Sequence, residues 1–343
     1  MILGLETSCD DTCAAVVSHE GEIRSNVISS QAIHDRYGGV VPEIASRHHL
    51  EAVNLVIDAA LASAAIALDE VDLVAVTQGP GLVGALLVGL SSAKALAAAR
   101  GLALAPVDHL QGHVAASLLG PHPFEPPFVC LVASGGHTLL THVRAHHGFE
   151  VLGTTLDDAA GEAFDKGARL LGLGYPGGAA LERLAAAGDP QAFDFPTGRG
   201  RPGRGGGFTQ GLNFSFAGLK TALLYRVRGL DEAELDRRRA DLAASFQSAI
   251  VEALTVRVER ALDVTGADRL AIGGGVAANG ALRRRLGALG VTLAIPAREL
   301  CTDNAAMIAG AARHGPCLAY PQYLDLDAYP TGGLPPRSRA GAS

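Results

Sequence analysis

MILGLETSCDDTCAAVVSHEGEIRSNVI, residues 1–28, and FVCLVASGGHTLLTHVRAHHGFEVLG, residues 128–153, decide the fold between them. Each holds three short β-favouring runs broken by turn residues: 1–5, 13–19 and 23–28 in the first, 128–133, 138–144 and 150–153 in the second. Each therefore reads as a three-stranded meander. Beyond the first, Pro42 stands where an opening helical residue is tolerated, and Ile44, His48, Val53, Val56, Ile57 and Ala60 recur at helical spacing. A buried strand at 73–77, a Gly- and Ala-rich helix at 83–99 and a strand at 102–107 follow. PHPFEPP, 121–127, then punctuates the chain, and the order starts again. After the second meander come helical patterns at 160–171 and 179–187, a mostly helical insertion at 218–264, and strand, helix, strand at 269–272, 277–289 and 291–295.

A repeated βββαβα order predicts an α/β protein of two similar lobes with ligands held in a central cleft. The expected division is an N-terminal lobe, 1–108, completed by a helix at 304–315, and a C-terminal lobe, 109–303, carrying the insertion. GRGRPGRGGG, 198–207, reads as a mobile basic loop, and the Pro- and Gly-rich end, 320–343, as a partly ordered tail.

With 343 residues, 48% of them apolar, the chain is too large for one ordinary core and too apolar for a disordered one. Its 28 Lys and Arg against 35 Asp and Glu give a net charge of −7, so contact with nucleic acid calls for a local basic patch. Five cysteines without a CxxC pair fit a reducing compartment and free thiols. The amino terminus reaches an acid at Glu6 and lacks a secretion signal, and the longest apolar stretch, 81–99, is broken by Ser91, Ser92 and Lys94. These features predict a cytoplasmic chain with no membrane span.

His109 and His113, in VDHLQGHVAASLL, lie four apart at a predicted helix start, which sets both imidazoles on one face as a metal site requires. Chance is the commoner origin of an isolated pair. A zinc peptidase would have Glu after the first His, where this chain has Leu110. Asp303, in RELCTDNAAMIAG, sits at a strand-to-helix junction, where a short carboxylate is either an N-cap or a ligand. Two histidines and one carboxylate meeting across the cleft would leave coordination positions open, as in ferrous or zinc catalytic sites.

Four glycine-rich turns adjoin predicted strands: GPGLVG at 79–84, SGGHT at 134–138, GYPGG at 174–178 and GGGVAAN at 273–279. Such turns expose backbone N–H groups that can hold phosphate oxygens. None has the P-loop Gly-Lys-Ser/Thr ending or the dinucleotide fingerprint. Acids cluster at Glu6, Asp10 and Asp11, and again at Asp157, Asp158, Glu162 and Asp165; Asp158, Glu162 and Asp165 are spaced to share a helix face. A carboxylate there either accepts ribose hydroxyls or simply charges a helix start, and Lys166 reads as solvated.

ETSCDDT, GGVVPEIASRHHL, VTQGPGLVGALLVGLSSAK, DHLQGH, LVASGGHT, DDAAGEAFDKGARLLGLGYPGG, FSFAGLKT, IGGGVAANGALR and CTDNAAM occur in that order. Together they resemble the tRNA adenosine threonylcarbamoyltransferase family, the bacterial TsaD proteins once labelled glycoprotein endopeptidases, over 2–310. The resemblance implies the two-lobed actin-like, Hsp70-like and sugar-kinase-like ATPase (ASKHA) fold. It also implies transfer of threonylcarbamoyl from threonylcarbamoyl-AMP to the exocyclic amine of adenosine 37 in tRNAs reading ANN codons, forming t(6)A. By the same resemblance His109, His113 and Asp303 are metal ligands, for Fe2+ or Zn2+. Val132, Ala133, Ser134, Gly135 and Gly136 would cradle the acyl-phosphate, and Asp165, Gly178, Glu182 and Asn279 would hold the adenosine. A TsaB-like paralogue as heterodimer partner and a TsaE-like small ATPase are implied partners; the apolar helix at 42–62 and its neighbours are either a partner surface or a core face.

Three positions depart from the family pattern: Asp11 for a frequent Glu, Ala133 for Val, and Thr154 for Glu. Arg199, Arg201 and Arg204, like Arg283 to Arg285 and Arg237 to Arg239, are either tRNA-backbone contacts or solvated charges. The acyl donor has a good leaving group, so orientation and charge stabilisation matter more than a strong nucleophile. An exocyclic adenine amine is not basic, and Asp10 and Asp11 are the candidate bases for its proton. The alternatives within the same fold are an ATP-dependent kinase or ATPase, which two histidines on a helix face do not suit, and a nucleotide-binding scaffold, which a transfer assay with threonylcarbamoyl-AMP and unmodified tRNA separates from the enzyme.

Overall fold

β1 (Ile2–Glu6) is buried at every position, as a strand covered on both faces should be, and the first sheet grows outward from it. The computed structural model describes residues 1–174, 176–197 and 211–330. β2 (Asp11–Val17) and β3 (Ile23–Ser30) continue as an antiparallel meander, with Ile2 opposite Val17 and Asp11 opposite Ser30. α1 (Pro42–Ala64) has proline in its first turn and stops at Ala65, whose φ of 54° is left-handed. β4 (Leu73–Gly79) pairs parallel with β1; α2 (Val83–Arg100) then returns to β5 (Ala103–Asp108), parallel to β4. α3 (His109–Ala115) follows without an intervening loop.

β6 (Phe128–Ala133), β7 (Thr138–Val143) and β8 (Glu150–Thr154) repeat the antiparallel meander. α4 (Ala160–Leu170), α5 (Gly177–Ala185), α6 (Ala217–Arg228) and α7 (Glu232–Thr265) come next. The 34-residue α7 begins at a capping box, in which Glu234 N donates to Asp231 Oδ1 at 2.8 Å and Asp231 N to Glu234 Oε2 at 3.4 Å. β9 (Arg269–Gly273) lies parallel to β6, α8 (Gly280–Gly287) follows, and β10 (Thr292–Ala294) is parallel to β9. α9 (Arg298–Cys301) and α10 (Ala305–Ala312) close the helical series.

The two sheets run β3-β2-β1-β4-β5 and β8-β7-β6-β9-β10, one topology used twice. The duplicated α/β order read from the meanders is therefore what the chain builds. Its predicted insertion is α6 and α7, and α7 supplies Leu242, Phe246, Ile250 and Leu254 to the core beneath the second sheet.

The chain divides into one unit of Met1–Glu125, His146–Gly148 and the segment from Asp303, and a second of Pro126–Ala145 and Phe149–Thr302. α3 and Asp303 thus belong to the first unit, where the expected boundary at 108 put both in the second. Close packing of α3 on α10 is the physical reason: a Cβ on Gly112 would lie 2.8 Å from Ile308 Cδ1, so the helices approach as nearly as glycine allows.

The stretch 318–329 is more fastened than its composition suggests. Leu318 and Leu104 exchange backbone hydrogen bonds at 2.8 and 2.9 Å, and Lys94 Nζ donates to the carbonyls of Leu324 and Leu326. Tyr323 is fully buried in the first core, where its ring packs among the apolar side chains. Gln78 Nε2 donates to the Asp327 carbonyl at 2.8 Å, and Tyr329 N to the Gln78 carbonyl at 3.2 Å. The Arg-Gly stretch at 198–207 and the tail beyond 330 lie outside the described residues. α2 is long and apolar enough to cross a membrane, yet Leu86, Leu90, Ala93 and Ala97 are buried within the first unit. All five cysteines are free.

Candidate active site

His109 and His113 occupy the first and fifth positions of α3, and the helix is capped by Asp108, whose Oδ1 accepts from Leu110 N at 2.8 Å and Gln111 N at 3.1 Å. The four-residue spacing puts the two rings 4.7 Å apart, edge to face. Asp303 arrives just ahead of α10, with its Oδ1 3.6 Å from His109 Nε2 and 3.3 Å from His113 Nε2. Ligand atoms of all three lie within 4.8 Å of one another.

Asp303 is not the helix cap. Asn304 caps α10, accepting from Met307 N at 3.0 Å, and the acid is left pointing at the imidazoles. The three do not meet across two lobes, as expected from sequence; all belong to the first unit. They fit an ion well. Both histidines are buried, neither ring nitrogen of His113 makes a hydrogen bond, and two imidazoles with one carboxylate suit ferrous iron or zinc with positions left open.

Without an ion the site is an ion-pair cluster. Burial works to lower the His109 pKa, but the charges of Asp303 and Glu6 overcome it and push the ring up to about 9. Burial likewise opposes the charge on Glu6, yet its bond and charge contact with His109 hold it below the usual carboxylate range. Asp11, at the head of β2, is pushed up to about 6 by burial, against a hydrogen bond to Ser30 and with help from Asp303, Asp10 and Glu6. Asp10 lies in the same loop, half-buried; its carbonyl accepts from Gln31 N at 3.2 Å. His49 steadies that loop, with Nδ1 2.8 Å from Thr12 Oγ1 and Nε2 3.0 Å from the Cys9 carbonyl.

The remaining sequence-predicted residues belong to the second unit. Val132 and Ala133 are buried strand residues, paired with Leu139 and Thr138, so only their backbone borders the turn that follows. Ser134 and His137 close that turn, Ser134 N donating to the His137 carbonyl at 2.8 Å, and leave Gly135 and Gly136 exposed. α4 begins hard against it. A Cβ on Gly161 would sit 2.6 Å from the Ser134 carbonyl oxygen, and Gly161 N donates to that oxygen at 3.0 Å.

Asp165, Glu182 and Asn279 serve helix starts. Asp165 Oδ1 accepts from Gly177 N at 2.8 Å and Gly178 N at 3.2 Å, opening α5. Glu182 Oε1 accepts from Gly280 N at 2.8 Å, and Asn279 Oδ1 from Leu282 N at 3.0 Å, so both cap α8. Asn279 Nδ2 also donates to Gln247 Oε1 at 2.8 Å. Burial raises the Asp165 pKa, against the two amide bonds. Asp158 and Lys166 are partners rather than solvated charges: Asp158 bridges Lys166, at 2.7 Å, and Lys220, at 2.9 Å, and so ties α4 to α6.

Sequence reading named Glu6 as an acid but gave it no task. Its partners, His109 and Thr77, are 103 and 71 positions away, and the available signal was an acid ending an otherwise apolar strand.

Two structures share the fold. The (R)-2-hydroxyglutaryl-CoA dehydratase component A of Acidaminococcus fermentans superposes with a TM-score of 0.52 at 16% identity, over 92% of this chain and 96% of that one. T. kodakarensis HypF gives 0.58 at 15% identity, over 91% of this chain and 46% of that one. The chain has the two-lobed α/β fold of the actin, Hsp70 and sugar-kinase ATPases. A relative from Symbiobacterium thermophilum named tRNA N6-adenosine threonylcarbamoyltransferase is 51% identical over 340 residues, 97% of each chain. One of the same name from Geobacter sp. strain M21 is 50% identical over 339 residues, 97% of this chain and 96% of its own. The family model for tRNA N6-adenosine threonylcarbamoyltransferase matches residues 22–310, and with that match the chain belongs to that family.

Proposed function

We propose that this chain forms t(6)A by passing threonylcarbamoyl from threonylcarbamoyl-AMP to the exocyclic amine of adenosine 37, with the two units taking different shares of the work. The observation that carries the reading is the meeting of His109, His113 and Asp303 within 4.8 Å in a chain half identical to named transferases. His109, His113 and Asp303 hold one divalent ion, Fe2+ by the two-histidine, one-carboxylate set, with Zn2+ the other fitting choice. When bound, the ion supplies Lewis acidity toward phosphate or carbamoyl oxygens.

The exposed amides of Gly135 and Gly136 receive the acyl-phosphate, where fixed N–H dipoles stabilise charge as the AMP leaves. Ser134 sets their direction through its bond with His137, and Val132 and Ala133 anchor the turn in the sheet. Asp165, Gly178, Glu182 and Asn279 hold the adenosine; the Asp165 and Glu182 oxygens that make none of the capping bonds accept its hydroxyls. Asp11, with its raised pKa, takes the proton of the attacking amine, and Asp10 shares its loop.

α1 exposes Leu50 and Leu55, and α2 exposes Val83 and Leu87, which suits a TsaB-like partner; a TsaE-like ATPase supports turnover. A tRNA substrate and free thiols suit the cytoplasm. Purified chain, partners, threonylcarbamoyl-AMP and unmodified tRNA should yield t(6)A by nucleoside mass spectrometry, with His109→Ala and Asp303→Ala inactive and metal-poor. Full transfer by both metal-depleted variants would remove the proposed centre.

A further inference from the structure

The Glu6 carboxylate ends β1 at 0% exposure and is satisfied on both oxygens. Oε1 accepts from Ser8 N, and Oε2 accepts from Thr77 Oγ1 at 2.6 Å and His109 Nδ1 at 2.9 Å. Because Nδ1 donates to Glu6, the nitrogen turned toward Asp303 is Nε2, 3.6 Å from Oδ1. His113 has no such support. Its ring nitrogens make no hydrogen bond, and it is held by packing, by its edge contact with the His109 ring and by the Asp303 carboxylate 3.3 Å from Nε2.

We infer that Glu6 is a positioning residue for the ion: through Nδ1 it fixes which His109 nitrogen ligates, locks the ring plane and adds negative charge behind the ligand. A carboxylate bonded to the far nitrogen of a ligating histidine orients the ring and raises its basicity, and its loss weakens metal affinity about 10–100-fold. A buried ion pair kept for folding alone would use the same bond, but it would not govern how the ring meets an ion. Thr77 separates the two roles, since it touches the same oxygen without touching the histidine. The inference rests on the reading that His109, His113 and Asp303 bind metal.

The test is Co2+ titration of the metal-depleted full chain, following visible absorption and chelator competition, with circular dichroism to check folding. Glu6→Gln keeps the volume and loses the charge; it should bind Co2+ about 10–100-fold more weakly, with a shifted absorption band. Thr77→Val should stay near the parent affinity. If Glu6→Gln does not fold, Glu6→Asp carries the test: its shorter carboxylate withdraws from Nδ1 and should also weaken Co2+ binding. Parent-like affinity and spectrum in whichever of the two folds would overturn the inference while His109→Ala still loses the ion. No Co2+ binding by the parent would overturn the metal reading itself, and this inference with it.

Discussion

The Tyr329 hydroxyl donates to Asp108 Oδ2 at 2.6 Å, joining positions 221 residues apart. The other oxygen of Asp108 caps the helix that carries both histidines, so the segment around Tyr329 secures the start of α3. Burial and the Asp108 charge together raise the Tyr329 pKa, keeping the phenol protonated and donating. Tyr329→Phe should cost about 1.5–3 kcal/mol, as for a hydrogen bond to a charged acceptor, and should weaken metal binding as α3 loosens. Thermal unfolding and Co2+ titration measure both; parent values in each would show the bond to be incidental.

Metal binding should release a proton. With His109 pushed up to about 9, the ring carries a proton on Nε2 at neutral pH that the ion must displace. Affinity should therefore fall about tenfold for each pH unit below 9 until other ligands titrate. Isothermal titration in buffers of different ionisation heat counts the proton. A pH-independent affinity between 7 and 9 would contradict this.

Asp303 and Asn304 are neighbours with separate tasks. Asn304→Ala removes the α10 cap and should cost about 1 kcal/mol while leaving one bound ion per chain. Asp303→Ala should lose the ion. Chemical denaturation and metal analysis distinguish them, and an exchange of the two phenotypes would show the roles to be misassigned.

Gly161→Ala should spoil the turn at 134–137 without touching the metal. The added Cβ would lie 2.6 Å from the Ser134 carbonyl oxygen and 2.8 Å from Gly135 N, so the turn must move, at about 1–3 kcal/mol. KM for threonylcarbamoyl-AMP should rise with metal content unchanged. An unaltered KM would dissociate the turn from the acyl-phosphate.

Asp11→Asn should reduce the rate of transfer by about 10²–10⁴ with KM little changed, as for loss of a general base. Asp10→Asn should do less. Single-turnover assays decide between them, and equal, small effects would send the search for the base elsewhere.

The repeated meander was legible because three short runs with turn residues between them recur with the same downstream order, a pattern that local propensity can carry. His109 and His113 were legible because four residues make one helical turn. The partners that give these residues meaning were not. Asn304 could not be told from Asp303 as the cap until the backbone at 303–307 was seen, since both are short polar side chains at a helix start. Glu6, Tyr329 and Lys166 act through residues distant in the chain or on another helix, and no periodicity encodes such pairings. The boundary near 108 was misjudged for a related reason: α3 stays with β5 in the first unit because it packs on α10, a helix far along the chain.

One strand order used twice means that the hairpin bend leaving β1 and the bend leaving β6 are topological twins. In one copy acids stand in and around that bend, Glu6 ahead of it, Asp10 within it and Asp11 just past it; in the other the bend is Ser134, Gly135, Gly136 and His137, with no acid. The same corner of a repeated topology thus carries opposite electrical character, carboxylates in the first copy and bare backbone N–H groups in the second.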